Sequence, residues 1–154
     1  MSAEADRVRD VVELVVDALD LDADVEVAED GDEIVATVEG EDLGLFIGRR
    51  GQTIEAVQHL AQRAALKDQP RDAPRKRIVV DAAGYRARRQ EALERQADAA
   101  AEEALRTDRP VALEPMASAE RRVVHEYLRD RGDVETYSEG EEPGRHLVVA
   151  PLDE

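Results

Sequence analysis

Two glycines three residues apart, Gly48 and Gly51, interrupt a stretch of sequence whose apolar pattern is otherwise helical. Apolar residues dominate 43–47, and from Thr53 onward they recur at three- and four-residue spacings. The residues of this second series that share one helix face are Ile54, Val57, Leu60, Ala61 and Ala64. Because glycine readily adopts the backbone conformations of tight turns, the spacing predicts two helices joined by a turn over 48–51.

The elements around this turn follow from periodicity. Residues 5–19 place valines and leucines at helical spacing between acids, which predicts an amphipathic helix. Residues 25–28 and 34–38 alternate apolar and polar side chains on either side of an Asp-Gly pair, so they predict an antiparallel hairpin. Residues 77–81 are rich in β-branched side chains and predict a further strand. The predicted order is α-β-β-α-α-β.

The second half of the chain has its own series of elements. A long helix is predicted from Tyr85 to about Leu105, and its inner stripe is Ala92, Leu93, Ala97, Ala100, Ala104 and Leu105. An extended segment over 110–115 and a helix over 120–128 with Ser118 as its N-cap come next. Strands at 134–137 and 146–149 complete the order α-β-α-β-β. We therefore expect an α+β protein made of two small α/β-sandwich domains, 1–83 and 84–154.

The charge is unevenly distributed along the chain. A net charge of -16 at first disfavours a nucleic-acid ligand, because Lys and Arg must neutralise phosphates. Residues 46–90, however, contain 11 basic and 4 acidic side chains, and they begin just before the glycine turn. An acidic protein with one basic band would repel nucleic acid everywhere except along that band.

Composition excludes several kinds of site. The chain has no cysteine and its three histidines, His59, His125 and His146, stand far apart, so we expect neither a disulfide nor a metal site. No motif for a bound cofactor is present, and we expect none. The acidic N-terminus is followed by no long apolar run. We therefore expect neither a signal peptide nor a membrane span, and we expect the protein to be cytoplasmic.

The Gly48-Arg49-Arg50-Gly51 turn has the chemistry of an anion site. The N–H groups that open the following helix lack intrahelical partners, and this end of the helix dipole is positive. The glycines let a phosphate approach the backbone, while Arg49 and Arg50 add charge and donors. The alternative interpretation is an ordinary helix break bounded by glycines.

The run Gly44-Leu45-Phe46-Ile47-Gly48-Arg49-Arg50-Gly51-Gln52-Thr53-Ile54 resembles the G-x-x-G motif of a KH domain, and the element order resembles the bacterial type II arrangement. In that family the loop clamps the backbone of about four single-stranded nucleotides beside an apolar groove. This mode requires no aromatic platform, and aromatic residues are few here. The resemblance implies that RNA-binding residues are Ile47, Gly48, Arg49, Arg50, Gly51 and Gln52.

A second candidate site lies on the predicted helix 120–128. Val123, Val124, Tyr127 and Leu128 form an apolar arc, while Arg121 and His125 flank its edge beside Arg122 and could converge on one phosphate. The alternative is a solvated helix edge, since an Arg four residues before a His is common. Arg121 and His125, together with the preceding Met116 and the following run 134–140, resemble an R-3-H domain, which is associated with single-stranded nucleic acid.

A KH domain followed by an R-3-H domain resembles the Jag (KhpB, SpoIIIJ-associated) family of bacterial RNA-binding proteins, over essentially the whole chain. Many members carry a further N-terminal domain and linker, which we do not expect here, so functions located there do not transfer. The resemblance implies a non-enzymatic post-transcriptional regulator or RNA chaperone, with family links to cell shape. Implied partners are single-stranded RNA or DNA, and a second KH-domain protein or a second copy of the chain.

Two other classes of function remain alternatives. A nuclease could draw metal ligands from the 37 carboxylates, but no spacing singles out a metal site and no nucleophile or phosphate-loop motif is present. A protein-interaction adaptor could use the acidic N-terminal helix to dock a basic partner. His59 is better explained by a solvated helix face than by a ligand set.

Overall fold

A computed structural model describes residues 1–152, and the chain divides into two compact units, Met1–Arg86 and one that begins at Ala87. The first unit contains three substantial elements before the glycine turn: α1 (Ala3–Ala18), β1 (Ala23–Asp30) and β2 (Glu33–Gly40). The short helix α2 (Gly44–Ile47), the helix α3 (Gln52–Ala65) and the strand β3 (Arg77–Ala82) follow. The second unit contains most of α4 (Tyr85–Thr107), and then β4 (Val111–Ala112), α5 (Ser118–Leu128), β5 (Val134–Glu139) and β6 (His146–Pro151).

The first unit is a two-layer sandwich. β2 lies in the middle of its sheet, antiparallel to β1 and parallel to β3, with Ile34 opposite Ile78 and Ala36 opposite Val80. These inward side chains alternate with outward ones, and α1 and α3 cover them. The helical residues buried in this core include Val8, Val12, Val16, Phe46, Ile54, Val57 and Ala61. The packing fixes α3, and therefore the turn that precedes it.

A polar cluster fastens the start of α1 to the sheet. Ser2 caps the helix by accepting a hydrogen bond from the Ala5 N–H, and both its own N–H and its hydroxyl donate to the Glu29 carboxylate on β1. The Lys76 ammonium lies 2.6 Å from Glu29 and 3.3 Å from Glu4. The hydrogen bonds from Lys76 and Ser2 lower the pKa of Glu29 to about 2.

This cluster predicts an acid-sensitive contribution to stability. Because the folded-state pKa of Glu29 lies below its ordinary value of 4.5, the stabilisation is fully present above pH 4.5 and is lost as pH falls toward about 2. We expect Glu29→Gln to lower Tm near neutral pH, and the difference from wild type to shrink steadily below pH 4.5. Thermal unfolding followed by circular dichroism measures this. Glu26→Gln, an exposed change on the same strand, is the matched control, and an equal effect of pH on both variants would contradict the assignment.

The second unit packs two helices against a three-stranded antiparallel sheet in the order β4-β6-β5. Its core joins small residues of α4 to larger ones on the other elements. The buried residues include Leu93, Ala97, Ala100, Ala101, Met116, Val124, Leu128, Leu147 and Val149. Alanines along α4 allow its backbone to approach its neighbours closely.

The structure confirms the predicted α+β class and both element orders, and it corrects several details. Ala117, not Ser118, is the N-cap of α5, because the first helical hydrogen bond runs from the Arg121 N–H to the Ala117 carbonyl, and no side chain caps this end. The predicted inner stripes include Leu60 and Leu105, but these side chains are 54% and 40% exposed. Ala65 and Ala101 lie buried instead.

Within residues 1–152, no helix combines the length and the hydrophobicity that a membrane span requires.

Candidate nucleic-acid interface

The glycine turn is built from four successive residues, each of which has positive φ or belongs to a 3-10 turn. α2 ends at Gly48, whose N–H donates to the Gly44 carbonyl and whose φ is 75°. A 3-10 turn over Arg49–Gly51 follows, in which Arg50 has φ 56° and Gly51 has φ 76°. The backbone enters the positive-φ region twice within these four residues, at Gly48 and again at Arg50 and Gly51. The C-terminus of α2 therefore lies directly against the N-terminus of α3.

Any side chain at Gly48 or Gly51 would collide with neighbouring atoms, and the positive φ of both residues also favours glycine. A Cβ on Gly48 would lie 2.8 Å from the backbone nitrogen of Thr53, inside the first turn of α3. A Cβ on Gly51 would lie 2.7 Å from Cζ of Tyr85, the first residue of α4. The glycine spacing predicts a turn, but only the structure shows that Thr53 and Tyr85 close the space beside the two glycines. The turn is therefore a fixed structure on a packed base.

The N-terminus of α3 has no side-chain cap. Gly51 is its N-cap, and a glycine has no side-chain oxygen that could accept from the first-turn N–H groups. Arg49 and Arg50 are exposed beside this end, while Gly51 is buried. An uncapped helix start with two adjacent guanidinium groups attracts an anion through both the backbone dipole and the side-chain charge.

The remaining predicted loop residues lie on either side of the turn. Ile47 is partly buried and packs against the core of the first unit, whereas Gln52 is exposed as the first residue of α3. The six predicted residues 47–52 thus comprise the turn, the last residue of α2 and the first residue of α3. Only part of the Ile47 side chain is available to a ligand.

The free edge of β3, beside α3, is covered by side chains that the sequence did not single out. The Val80 N–H donates to Gln58 Oε1 at 2.9 Å, and Arg86 Nε donates to the Val80 carbonyl at 2.8 Å. Arg86 also reaches Gln58 and forms an ion pair of 2.6 Å with Glu55. Since Glu55 lies in the first turn of α3, this pairing offsets a negative charge close to the candidate anion site.

On α5, Arg121 occupies a different position from the predicted one. It lies on the buried face of the helix and is 8% exposed, so it is not at the edge of the apolar arc. Its Nη1 donates to the Met116 carbonyl at 2.6 Å and is 3.5 Å from the Arg145 carbonyl, while Nη2 donates to Glu142 Oε1 at 2.9 Å. The guanidinium joins the segment before α5 to the β5–β6 connection.

Arg122 and His125 are the exposed members of the predicted α5 set. Arg122 forms an i,i+4 ion pair of 3.0 Å with Glu126 and has a side chain that is 79% exposed. His125 Nδ1 is hydrogen-bonded to the Thr136 hydroxyl on β5. A solvated ion pair such as Arg122–Glu126 contributes little to stability, so Arg122 can readily exchange Glu126 for another anion. Of the three predicted residues on this helix, Arg122 and His125 are therefore accessible, and Arg121 is buried.

Comparison with known families identifies both units. Residues 5–78 match the model of the KhpA/KhpB KH domain, and residues 91–151 match that of the R-3-H domain. The chain belongs to the KhpB family. Within this KhpB-family chain, the glycine turn lies inside the matched KH region and α5 lies inside the matched R-3-H region.

Several KhpB relatives are similar over most of this chain. The protein named RNA-binding protein KhpB from Clostridium symbiosum is 37% identical over 147 residues, which are 94% of this chain and 65% of the relative. Its namesake from Bacillus subtilis is 36% identical over 141 residues, covering 90% and 66%. That from Lactiplantibacillus plantarum is 41% identical over 107 residues, covering 70% and 32%. The chain thus spans just under two thirds of the first two relatives and about one third of the third.

Proposed function

We propose that this KhpB-family chain binds single-stranded RNA through the Gly48–Gly51 turn, without catalysing a reaction. The observation that carries the proposal is the uncapped N-terminus of α3 beside the exposed Arg49 and Arg50. The backbone N–H groups, the helix dipole and the two guanidinium groups together suit a phosphodiester backbone. The relatives' shared name, RNA-binding protein KhpB, supports the choice of RNA as ligand.

In this proposal the two domains contribute unequally. Gly48, Arg49, Arg50, Gly51 and Gln52 hold the backbone, with Ile47 beneath the bases. Arg122 and His125 of the R-3-H domain add a weaker contact, and Arg121 positions the α5 surface. We place the domain boundary after residue 83, between the stretches matched by the two family models. The cellular role that we propose is a cytoplasmic post-transcriptional regulator or RNA chaperone, which can associate with a KH-domain partner or with its own copy.

The test is the salt dependence of binding to a labelled single-stranded RNA, measured by fluorescence anisotropy. If about four phosphates are neutralised, the plot of log affinity against log salt concentration should have a slope near -3. An RNA duplex of the same sequence should bind more weakly, because the G-x-x-G clamp holds an unpaired strand. Binding that is independent of salt, or cleavage of the RNA in the presence of Mg²⁺, would contradict the proposal.

A further inference from the structure

Four basic residues cluster at the opposite end of α3 from the glycine turn. Arg63 lies in the last turn of α3, Lys67 follows the helix, and Arg71 and Arg75 lie in the connection to β3. All four line one shallow depression, together with Ala64, Leu66, Gln69 and Pro70. No acidic side chain lines it. We call these four residues the α3 cationic cluster.

Other basic residues of the 46–90 band have acidic partners. Lys76 pairs with Glu29 and Glu4, Arg77 with Glu33, Arg86 with Glu55 and Arg89 with Glu120. Within residues 1–152, by contrast, the side chains of the α3 cationic cluster form no hydrogen bond or ion pair. The basic band is thus divided between cations that hold the fold together and cations that face solvent.

The cluster concentrates positive charge around one depression. Four like charges around one depression repel each other, and the chain, with 37 acidic residues, could readily have supplied partners for them. Asp68 and Asp72 belong to the same connection, yet neither lines the depression. An anion that enters it would meet four unpaired donors and no opposing carboxylate.

The cluster is too far from the glycine turn to hold the same phosphate. α3 has 14 residues and therefore separates the two ends by about 20 Å. A KH clamp holds about four nucleotides. We infer that the α3 cationic cluster is a second phosphate-binding surface, which holds single-stranded RNA beyond the segment gripped at the turn. This inference rests on the proposed function.

The side chains that line the depression also determine which part of the RNA it can contact. The depression has no aromatic side chain on which a base could stack, so its contribution comes from phosphates alone. The cluster should therefore raise affinity according to RNA length and with little regard to base sequence. It should also add to the salt dependence only for RNAs long enough to reach it.

The test compares two variants of the full chain with two RNAs. Arg71→Gln with Arg75→Gln removes half the cluster, and Arg106→Gln with Arg109→Gln, exposed at the end of α4, removes the same charge elsewhere. For an RNA of about four nucleotides we expect wild-type affinity from both variants. For one of about 12 nucleotides we expect the cluster variant alone to lose about five- to tenfold, and its salt slope to fall by about 1.4, or 0.7 for each lost contact.

The outcomes separate this inference from the proposed function. Wild-type affinity of the cluster variant for the long RNA would overturn the second surface, while leaving the turn intact as a binding site. An equal loss for short and long RNAs would also overturn it, since the cluster would then act within the clamp. A change in the oligomeric state of the cluster variant, without a change in RNA affinity, would assign the cluster to an acidic protein surface instead.

Discussion

Arg49→Asp combined with Arg50→Asp is expected to weaken binding of single-stranded RNA by about a hundredfold or more. Each substitution removes a charge-assisted hydrogen bond to phosphate, worth about 1.5 kcal/mol, so the pair contributes about 3 kcal/mol, and 1.4 kcal/mol corresponds to a factor of ten. The two introduced carboxylates then repel the phosphates that remain. Fluorescence anisotropy at a fixed salt concentration measures the loss.

The fold should tolerate these loop changes. Both side chains are exposed, and Arg50 has φ 56°, a conformation that aspartate adopts more readily than most residues. Unchanged thermal unfolding would therefore accompany the lost affinity. Arg106→Asp with Arg109→Asp is the control with the same change of net charge, and it should alter affinity by less than about twofold, because neither residue belongs to the turn and salt screens exposed charges. Equal losses in both variants would show that net charge, and not the turn, governs binding.

The turn could be predicted from sequence because each of its signals is local. Glycines at positions 48 and 51, an apolar helical pattern on either side and two arginines between them are all read within eleven residues. What closes the space around the glycines is not local. Tyr85 lies 34 positions after Gly51, and only the packing of the start of α4 brings the two together.

The inner faces of the helices were predicted less well than their positions. A helical wheel gives the direction of an apolar arc, but it does not say which of two neighbouring apolar residues sits at its centre. In α3 the buried residues include Ala61 and Ala65, whereas Leu60 lies at the exposed margin of the arc. In α4 the same exchange occurs between Ala101 and Leu105. Small residues suit these buried positions because they allow the helix backbone to approach its neighbours closely.

The buried position of Arg121 could not be predicted from the sequence. An arginine beside an apolar arc is expected to extend into solvent, because burying a charge without partners is costly. Here its partners are the Met116 and Arg145 carbonyls and the Glu142 carboxylate, up to 24 residues away in the chain. No periodic pattern reveals such distant acceptors, so the helical wheel places Arg121 at the helix edge.

Arg121→Ala is accordingly expected to destabilise the second unit by about 2–4 kcal/mol, since it leaves the Met116 carbonyl buried without a donor and removes donors from Arg145 and Glu142. The adjacent Arg122→Ala removes the same side chain from an exposed ion pair and should cost less than about 0.5 kcal/mol. Urea unfolding followed by tyrosine fluorescence measures both changes, because two of the three tyrosines, Tyr127 and Tyr137, lie in this unit.

Measurements of RNA affinity distinguish residues of α5 that contact RNA directly from residues that only stabilise the helix surface. His125→Ala should lower affinity a few-fold while leaving stability near that of wild type, because the ring is exposed and its partner Thr136 can turn to water. Arg121→Lys keeps the charge but not the planar set of donors that reaches three acceptors. If Arg121 is a support, Arg121→Lys loses stability and RNA affinity together. If Arg121→Lys keeps full stability and loses RNA affinity alone, Arg121 is itself a phosphate ligand and its buried hydrogen bonds are secondary.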